Sequence, residues 1–243
     1  MNEVIRQLNE RKSVRVFEDR EIPAEAKAAI LYAACQAPSA GNQQLYTILD
    51  ITDPAIKEKL VDLCDHQSFI AAAKMVLIFC ADCRKWYHGF RDAGCNPRQP
   101  GVGDLLLAVS DANIAAQNAV TAAESLGIGS CYIGDVSENC EQMRALLNLP
   151  KYVFPAAMLV FGYPTEQQKN RIKPARAAME HIVHENGYRD MNEAELRRLF
   201  ETRPRKDSYE DYMDRFCRFK HNSDFSREMT RSVGVYLEDF LHK

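Results

Sequence analysis

The stretch DLLLAVSDANIAAQNAVTAAESL, Asp104 to Leu126, followed by GIGSCYIG, Gly127 to Gly134, decides the fold. The first part is apolar or small on nearly every side, so a helix built from it cannot lie on a solvated surface. Core or a subunit interface must surround it. Gly127 is placed to stop that helix, and Ile128 to Ile133 then reads as a strand. Beyond it, Ser137 is positioned to cap a helix running to about Leu147, and Val153 to Phe161 is the last strong strand candidate.

Toward the N-terminus, Met75 to Cys80 is a continuous apolar run bounded by charge, which suits a strand buried on both faces. Leu45 to Ile51 is a shorter β-rich run. Ile56, Leu60 and Leu63 give the segment from Pro54 a helical spacing, and Pro23 opens a helix over AEAKAAILYAACQA. Between Ala81 and Gly103, Trp86, Tyr87 and Phe90 lie among glycines, prolines and cysteines, in the manner of a long surface excursion. Past Asn186 the chain is polar and helical with a break at Pro204. At its end Phe225, Met229, Val233, Tyr236, Leu237 and Phe240 recur at helical spacing and predict one docked apolar face. The reading is a single domain, 1–243, with a helical excursion over 187–225.

At 243 residues and 46% hydrophobic content the chain can bury a core without staples. Its net charge of −3 gives no general reason to approach nucleic acid or an anionic membrane, so an anion site has to be built locally. MNEVIRQLNERKS lacks the apolar centre of a signal peptide, and no uncharged stretch is long enough to span a bilayer; a cytoplasmic location is expected. Eight scattered cysteines in a chain of this size are expected to be reduced thiols.

Three segments carry chemistry. In Arg11-Lys12-Ser13-Val14-Arg15, an extended backbone would set two guanidinium groups and a hydroxyl on one side, a donor set that suits a phosphate. A solvated charge run is the alternative. Pro38-Ser39-Ala40-Gly41-Asn42-Gln43-Gln44 joins small residues that permit close backbone approach to amides that both donate and accept, as the edge of a flat heterocycle requires. It also reads as an ordinary turn ending a helix. Lys169-Asn170-Arg171-Ile172-Lys173-Pro174-Ala175-Arg176 follows the Gly162-Tyr163-Pro164 turn and is either a second anion clamp or a solvated basic loop.

In this order, with Gly127 to Gly134 between them, the three segments resemble the FMN-dependent nitroreductase family. Ile51-Thr52-Asp53, Gln67, Ala122 to Gly127 and Val183-His184-Glu185-Asn186 resemble its larger branch of NADPH-preferring nitroreductases and flavin reductases. The resemblance implies an α+β fold with a central, mostly antiparallel sheet flanked by helices. It implies that Arg11, Lys12 and Ser13 hold the FMN phosphate, that Arg15 lies toward the pyrimidine end of the ring, and that Gln67 also meets the ring. Lys173 and Arg176 match a second phosphate-binding pair, with Arg171 as competitor. Pro38, Ser39 and Asn42 would reach the flavin from the partner subunit of a homodimer, and Tyr132, Ile133 and Gly134 would lie along the ring.

The activity that the resemblance implies is a ping-pong transfer of two electrons from NADPH or NADH to nitroaromatics, quinones or similar flat acceptors, with the flavin performing the chemistry. No side chain is then needed as acid, base or nucleophile. The alternative is an FMN store or redox sensor with little turnover. Arg215, Arg218 and Lys220 match only loosely the basic loop that favours NADPH. Cys80-Ala-Asp-Cys83, with His88 and Cys95 beyond, offers a zinc set on paper, but Cys80 ends a buried strand and reads as a core residue. His181 and His184 likewise read as structural, and no metal site is expected.

Overall fold

The computed structural model describes residues 1–200 and 207–242; Pro204, the expected helix break, lies outside the described residues. Met75–Asp82 (β2) sits at the centre because nothing in it tolerates water, and all eight residues are buried. Tyr46–Asp50 (β1) flanks it on one side and Val153–Gly162 (β4) on the other. Gly129–Ile133 (β3) lies beyond β4, and every pairing is antiparallel.

The two-residue period of β2 splits the core into two layers. Met75, Leu77 and Phe79 meet Ala24–Cys35 (α2) and Val102–Ser125 (α6) through Ile30, Ala34, Ala112, Ala115, Ala116 and Ala119. Val76, Ile78 and Cys80 face the opposite way, toward Leu60 of Pro54–Leu63 (α3), Ile70 of Phe69–Ala72 (α4) and Met143 of Cys140–Leu147 (α7). Glu3–Glu10 (α1), Arg84–Asp92 (α5) and Glu166–Asn170 (α8) complete this part of the chain. The Ala81 to Gly103 stretch is thus organised around α5, which has no buried residue. Pro155, which has no N–H for the ladder, sits in a central strand at a bulge where the β2–β4 register shifts between Phe79 and Cys80.

The long helix turns its alanines to the sheet, while Leu106, Leu107 and Ile114 are exposed in the single chain, the side left for the subunit interface that its composition allows. One expectation is corrected. Ser137 does not cap α7. It is buried in the tight turn Gly134–Ser137, and its hydroxyl donates to the Pro155 carbonyl at 3.0 Å. The start of α7 is instead satisfied from a distant segment. The Asn139 N–H donates to Glu228 at 3.2 Å and that of Cys140 to the Ser232 hydroxyl at 3.0 Å. Both acceptors lie on the final helix, Asp224–Glu238 (α11), so a local capping pattern could not reveal them. That helix docks as its spacing predicts, burying Tyr236 against Phe154, with Phe240 buried just after it.

Contacts divide the chain into two compact units: Met1–Arg171 with the chain from Glu228 onward, and Ile172–Arg227. The second unit contains Glu193–Phe200 (α9), Tyr209–Phe216 (α10) and the first turn of α11. Ion pairs run along its surface, Arg197 to Glu210 at 2.6 Å and Arg189 to Glu195 at 2.8 Å. Exposed pairs of this kind contribute about 0–1 kcal/mol each.

Gly129 sets how closely the N-terminal segment approaches the sheet. A Cβ there would stand 2.6 Å from Val14 Cγ2 and 2.9 Å from Val14 Cβ. Gly129→Ala is expected to cost about 1–3 kcal/mol, the range for forced overpacking. Thermal melting checks this, and Val14→Ala in the same chain should recover part of the loss.

Candidate functional site

Residues 13–17 continue the sheet past its β3 edge. Ser13 bridges Ser130 in parallel, the Val14 N–H donates to the Ser130 carbonyl at 2.9 Å, and Phe17 bridges Pro164 in the antiparallel sense. Val14 is buried, Arg11, Lys12 and Ser13 are half-buried, and Arg15 and Val16 are exposed. The polar groups of Arg11, Ser13 and Arg15 converge near β3: burial pushes the Cys131 thiol up, and Arg15, the Ser13 hydroxyl and Arg11 pull it back. Burial likewise lifts the Tyr132 phenol to about 12, against the pull of Arg11. The Arg15 guanidinium also lies 5.8 Å from the Phe69 ring centroid, and the Arg15 backbone N–H donates to Oε1 of the buried Gln168 at 3.3 Å.

The second basic segment reaches this edge through Arg171. Its guanidinium donates to the Ser13 carbonyl, and Lys12 donates to the carbonyls of Lys169 and Arg171 at 2.6 and 2.5 Å. Lys12 therefore clamps one basic segment to the other. Lys169 is engaged with Glu18 and Glu166. Two buried donors are left over, Arg11 Nε and Arg171 Nε, neither with a hydrogen-bond partner. Buried guanidinium nitrogens without acceptors are costly unless an anion completes them, and Ser13 adds a hydroxyl beside them. Lys173, half-buried, and Arg176, exposed, belong to the second unit and lie in its irregular leading segment.

The loop after α2 is held from the core. Asp111, buried in the middle of α6, accepts from the Ala40 N–H at 2.9 Å and the Leu45 N–H at 3.1 Å. The Ser39 hydroxyl accepts from the Gln44 N–H at 3.0 Å. Gly41, Asn42 and Gln44 all have positive φ, a conformation that persists in non-glycine residues only where surrounding bonds enforce it. The Trp86 ring donates to the Gln43 carbonyl at 2.7 Å, which docks α5 on the loop beside a cavity of about 260 Å³ lined by Tyr87, Phe90 and Leu107. Pro38 and Asn42 are exposed. The sequence reading passed over Asp111; its only signal was a lone acid in a helix of small and apolar residues.

These two groups occupy diagonally opposite corners of the sheet. Tyr46, next to the loop, is aligned with Ala81 and Phe154, whereas Ser130, beside Ser13, is aligned with Phe161 and Met75. Their separation is roughly 20 Å along the strands and 14 Å across them. One chain does not bring Ser39 and Asn42 to Arg11 and Ser13. On the phosphate-like corner, Tyr132 is half-buried, Ile133 buried and Gly134 exposed. Gln67 follows α3, where its side chain donates to the Cys64 carbonyl at 3.0 Å.

Cys80 and Cys83 are buried and burial pushes both thiols up to about 12, whereas Cys95 is exposed. Native protein is expected to titrate with a disulfide reagent at the exposed Cys35, Cys95 and Cys217, leaving the five buried thiols for the denatured state. His184 is occupied in its own unit, accepting from the Arg189 N–H at 3.2 Å. Among Arg215, Arg218 and Lys220, the first two pair with Asp207 and Asp214, and Lys220 lies over Phe219. Among the described residues, no helix is long and apolar enough to cross a membrane.

The pattern of the nitroreductase family matches residues 8–163. The oxygen-insensitive NADPH nitroreductase of Salmonella typhimurium is 35% identical over 96% of this chain and 98% of its own length. An FMN reductase (NAD(P)H) of Bacillus subtilis is 32% identical over 98% and 92%. The solved NfrA1 nitroreductase of Bacillus subtilis superposes with a TM-score of 0.80 at 25% identity, covering 93% of this chain and 98% of that one. Antiparallel sheet, flanking helices and sequence agree, and this chain belongs to the nitroreductase family.

Proposed function

We propose that this protein is an FMN-dependent oxidoreductase that takes two electrons from NAD(P)H and passes them to flat oxidised acceptors, nitroaromatics and quinones among them. The observation that carries the reading is the pair of unpartnered buried nitrogens, Arg11 Nε and Arg171 Nε, next to Ser13. They fit the phosphate of FMN, whose charge would repay their desolvation. The names and coverage of the two curated relatives support the same cofactor and reductant.

When bound, FMN supplies reversible two-electron chemistry that no side chain here provides. The protein's part is to hold and tune it. Arg11, Ser13 and Arg171 would bind the phosphate, with Lys12 keeping their two segments together. Arg15 would set a positive charge near the pyrimidine end, favouring the reduced ring, and Gln67 would offer its amide there. Tyr132, Ile133 and Gly134 would line the ring, and Lys173 and Arg176 remain candidates for the phosphate.

The corners of the sheet are too far apart for one chain to surround a single flavin, so Pro38, Ser39 and Asn42 would come from a second copy. The exposed apolar faces of α6, with Leu106, Leu107 and Ile114, and of α1, with Val4, Ile5 and Leu8, support a homodimer. Reductant and acceptor, both flat, would occupy one place in turn, which is a ping-pong scheme. Steady-state NADPH oxidation at several quinone concentrations tests it: parallel double-reciprocal lines are expected, and intersecting lines contradict it. Tightly bound flavin that NAD(P)H does not reduce would instead favour a store or sensor.

A further inference from the structure

Asp65, Asp135 and Glu138 each bring a carboxylate oxygen to within 4.8 Å of the other two. They converge from separate segments. Asp65 occupies a left-handed turn after α3 (φ 55), and Asp135 lies in the turn Gly134–Ser137, with Glu138 directly after it. Glu138 is only 3% exposed, and its Oε1 has no hydrogen-bond partner. Among the described residues none of the three has a cationic partner. Arg231, on the neighbouring helix, is already bound to Glu141 and Glu228. Three crowded carboxylates with a buried, unpartnered oxygen are an unstable arrangement in water alone.

We propose that Asp65, Asp135 and Glu138 hold a hard divalent cation of the calcium or magnesium class. All three donors are carboxylate oxygens, the set that hard cations select over softer transition metals. Calcium at about 2.3–2.6 Å from each oxygen accommodates oxygens almost 5 Å apart and tolerates irregular geometry, while exposed Asp65 leaves room for water to complete the shell. The ion would tie the turn that precedes Gln67 to the one that begins at Gly134. Its binding stands on these three residues and does not depend on the flavin reading.

The test uses the full-length protein, stripped with a chelator and dialysed, and melted at constant ionic strength with CaCl2, MgCl2 or NaCl alone. A saturable rise in Tm of several degrees with one divalent salt, and one ion per chain by native mass spectrometry, is expected. Glu138→Gln should abolish the rise. Asp65→Asn, an exposed change that leaves the core intact, should weaken binding by about 10-fold or more. The proposal is overturned if neither CaCl2 nor MgCl2 moves Tm beyond the NaCl control, or if the rise survives in Asp65→Asn and Glu138→Gln. Flavin content, measured in parallel, should be the same in Asp65→Asn as in the parent.

Discussion

The double variant Arg11→Ala with Arg171→Ala loses FMN affinity by at least about 100-fold, since each charged hydrogen bond to a phosphate is worth about 1.5–3 kcal/mol and each 1.4 kcal/mol is tenfold. Dialysis of the flavin and fluorescence titration of the stripped protein measure it. The fold should survive. Both Nε atoms are buried donors without partners, so removing them deletes an unfavourable term from the flavin-free chain, which offsets the loss of the single bond from the Arg171 guanidinium to the Ser13 carbonyl. The melting temperature without flavin should therefore stay near that of the parent while affinity collapses. Lys173→Ala and Arg176→Ala, made singly, compare the competing phosphate ligands. Should they lose as much affinity as Arg171→Ala, the clamp extends into residues 173–176.

Asp111→Ala should destabilise the protein by about 2–5 kcal/mol, because it strips the acceptor from two backbone donors, Ala40 and Leu45, that are held by one buried carboxylate. Thermal melting reads the loss. Limited proteolysis between residues 38 and 44 reads its location, since Asn42 and Gln44 keep positive φ only while that anchor holds. Flavin binding should weaken too, although Arg11 and Ser13 are untouched at the opposite corner of the sheet. Mixing the two damaged proteins separates the causes. In a heterodimer of the Arg11/Arg171 double variant with Asp111→Ala, one site draws both defects and the other draws neither. Refolded mixtures should recover flavin binding at one site per heterodimer if the sites are shared, and none if each chain builds its own.

Elements whose burial is written in local pattern were legible. The apolar run of β2, the small residues of α6 and the helical spacing ending at Phe240 each dictate a partner surface regardless of what supplies it. What failed depended on distant chain. Ser137 looked like a cap, but the acceptors for α7 come from Glu228 and Ser232. Arg11, Ser13 and Arg15 all act on Cys131, a shared neighbourhood that their close spacing suggested. The role of Arg171 was not readable, because a basic run carries no sign of which member will face Ser13; the Lys12 clamp decides it. Asp111 and the Asp65, Asp135 and Glu138 group were missed for the same reason, since single acids gain meaning only from what the fold sets against them.

The most direct measurement is the visible spectrum of the purified protein under anaerobic conditions, before and after NADPH and again after a quinone. The account predicts a yellow protein that bleaches with NADPH and regains its colour with the quinone. A protein that stays colourless and refuses added FMN, or one whose bound flavin neither NADPH nor NADH reduces, would contradict it.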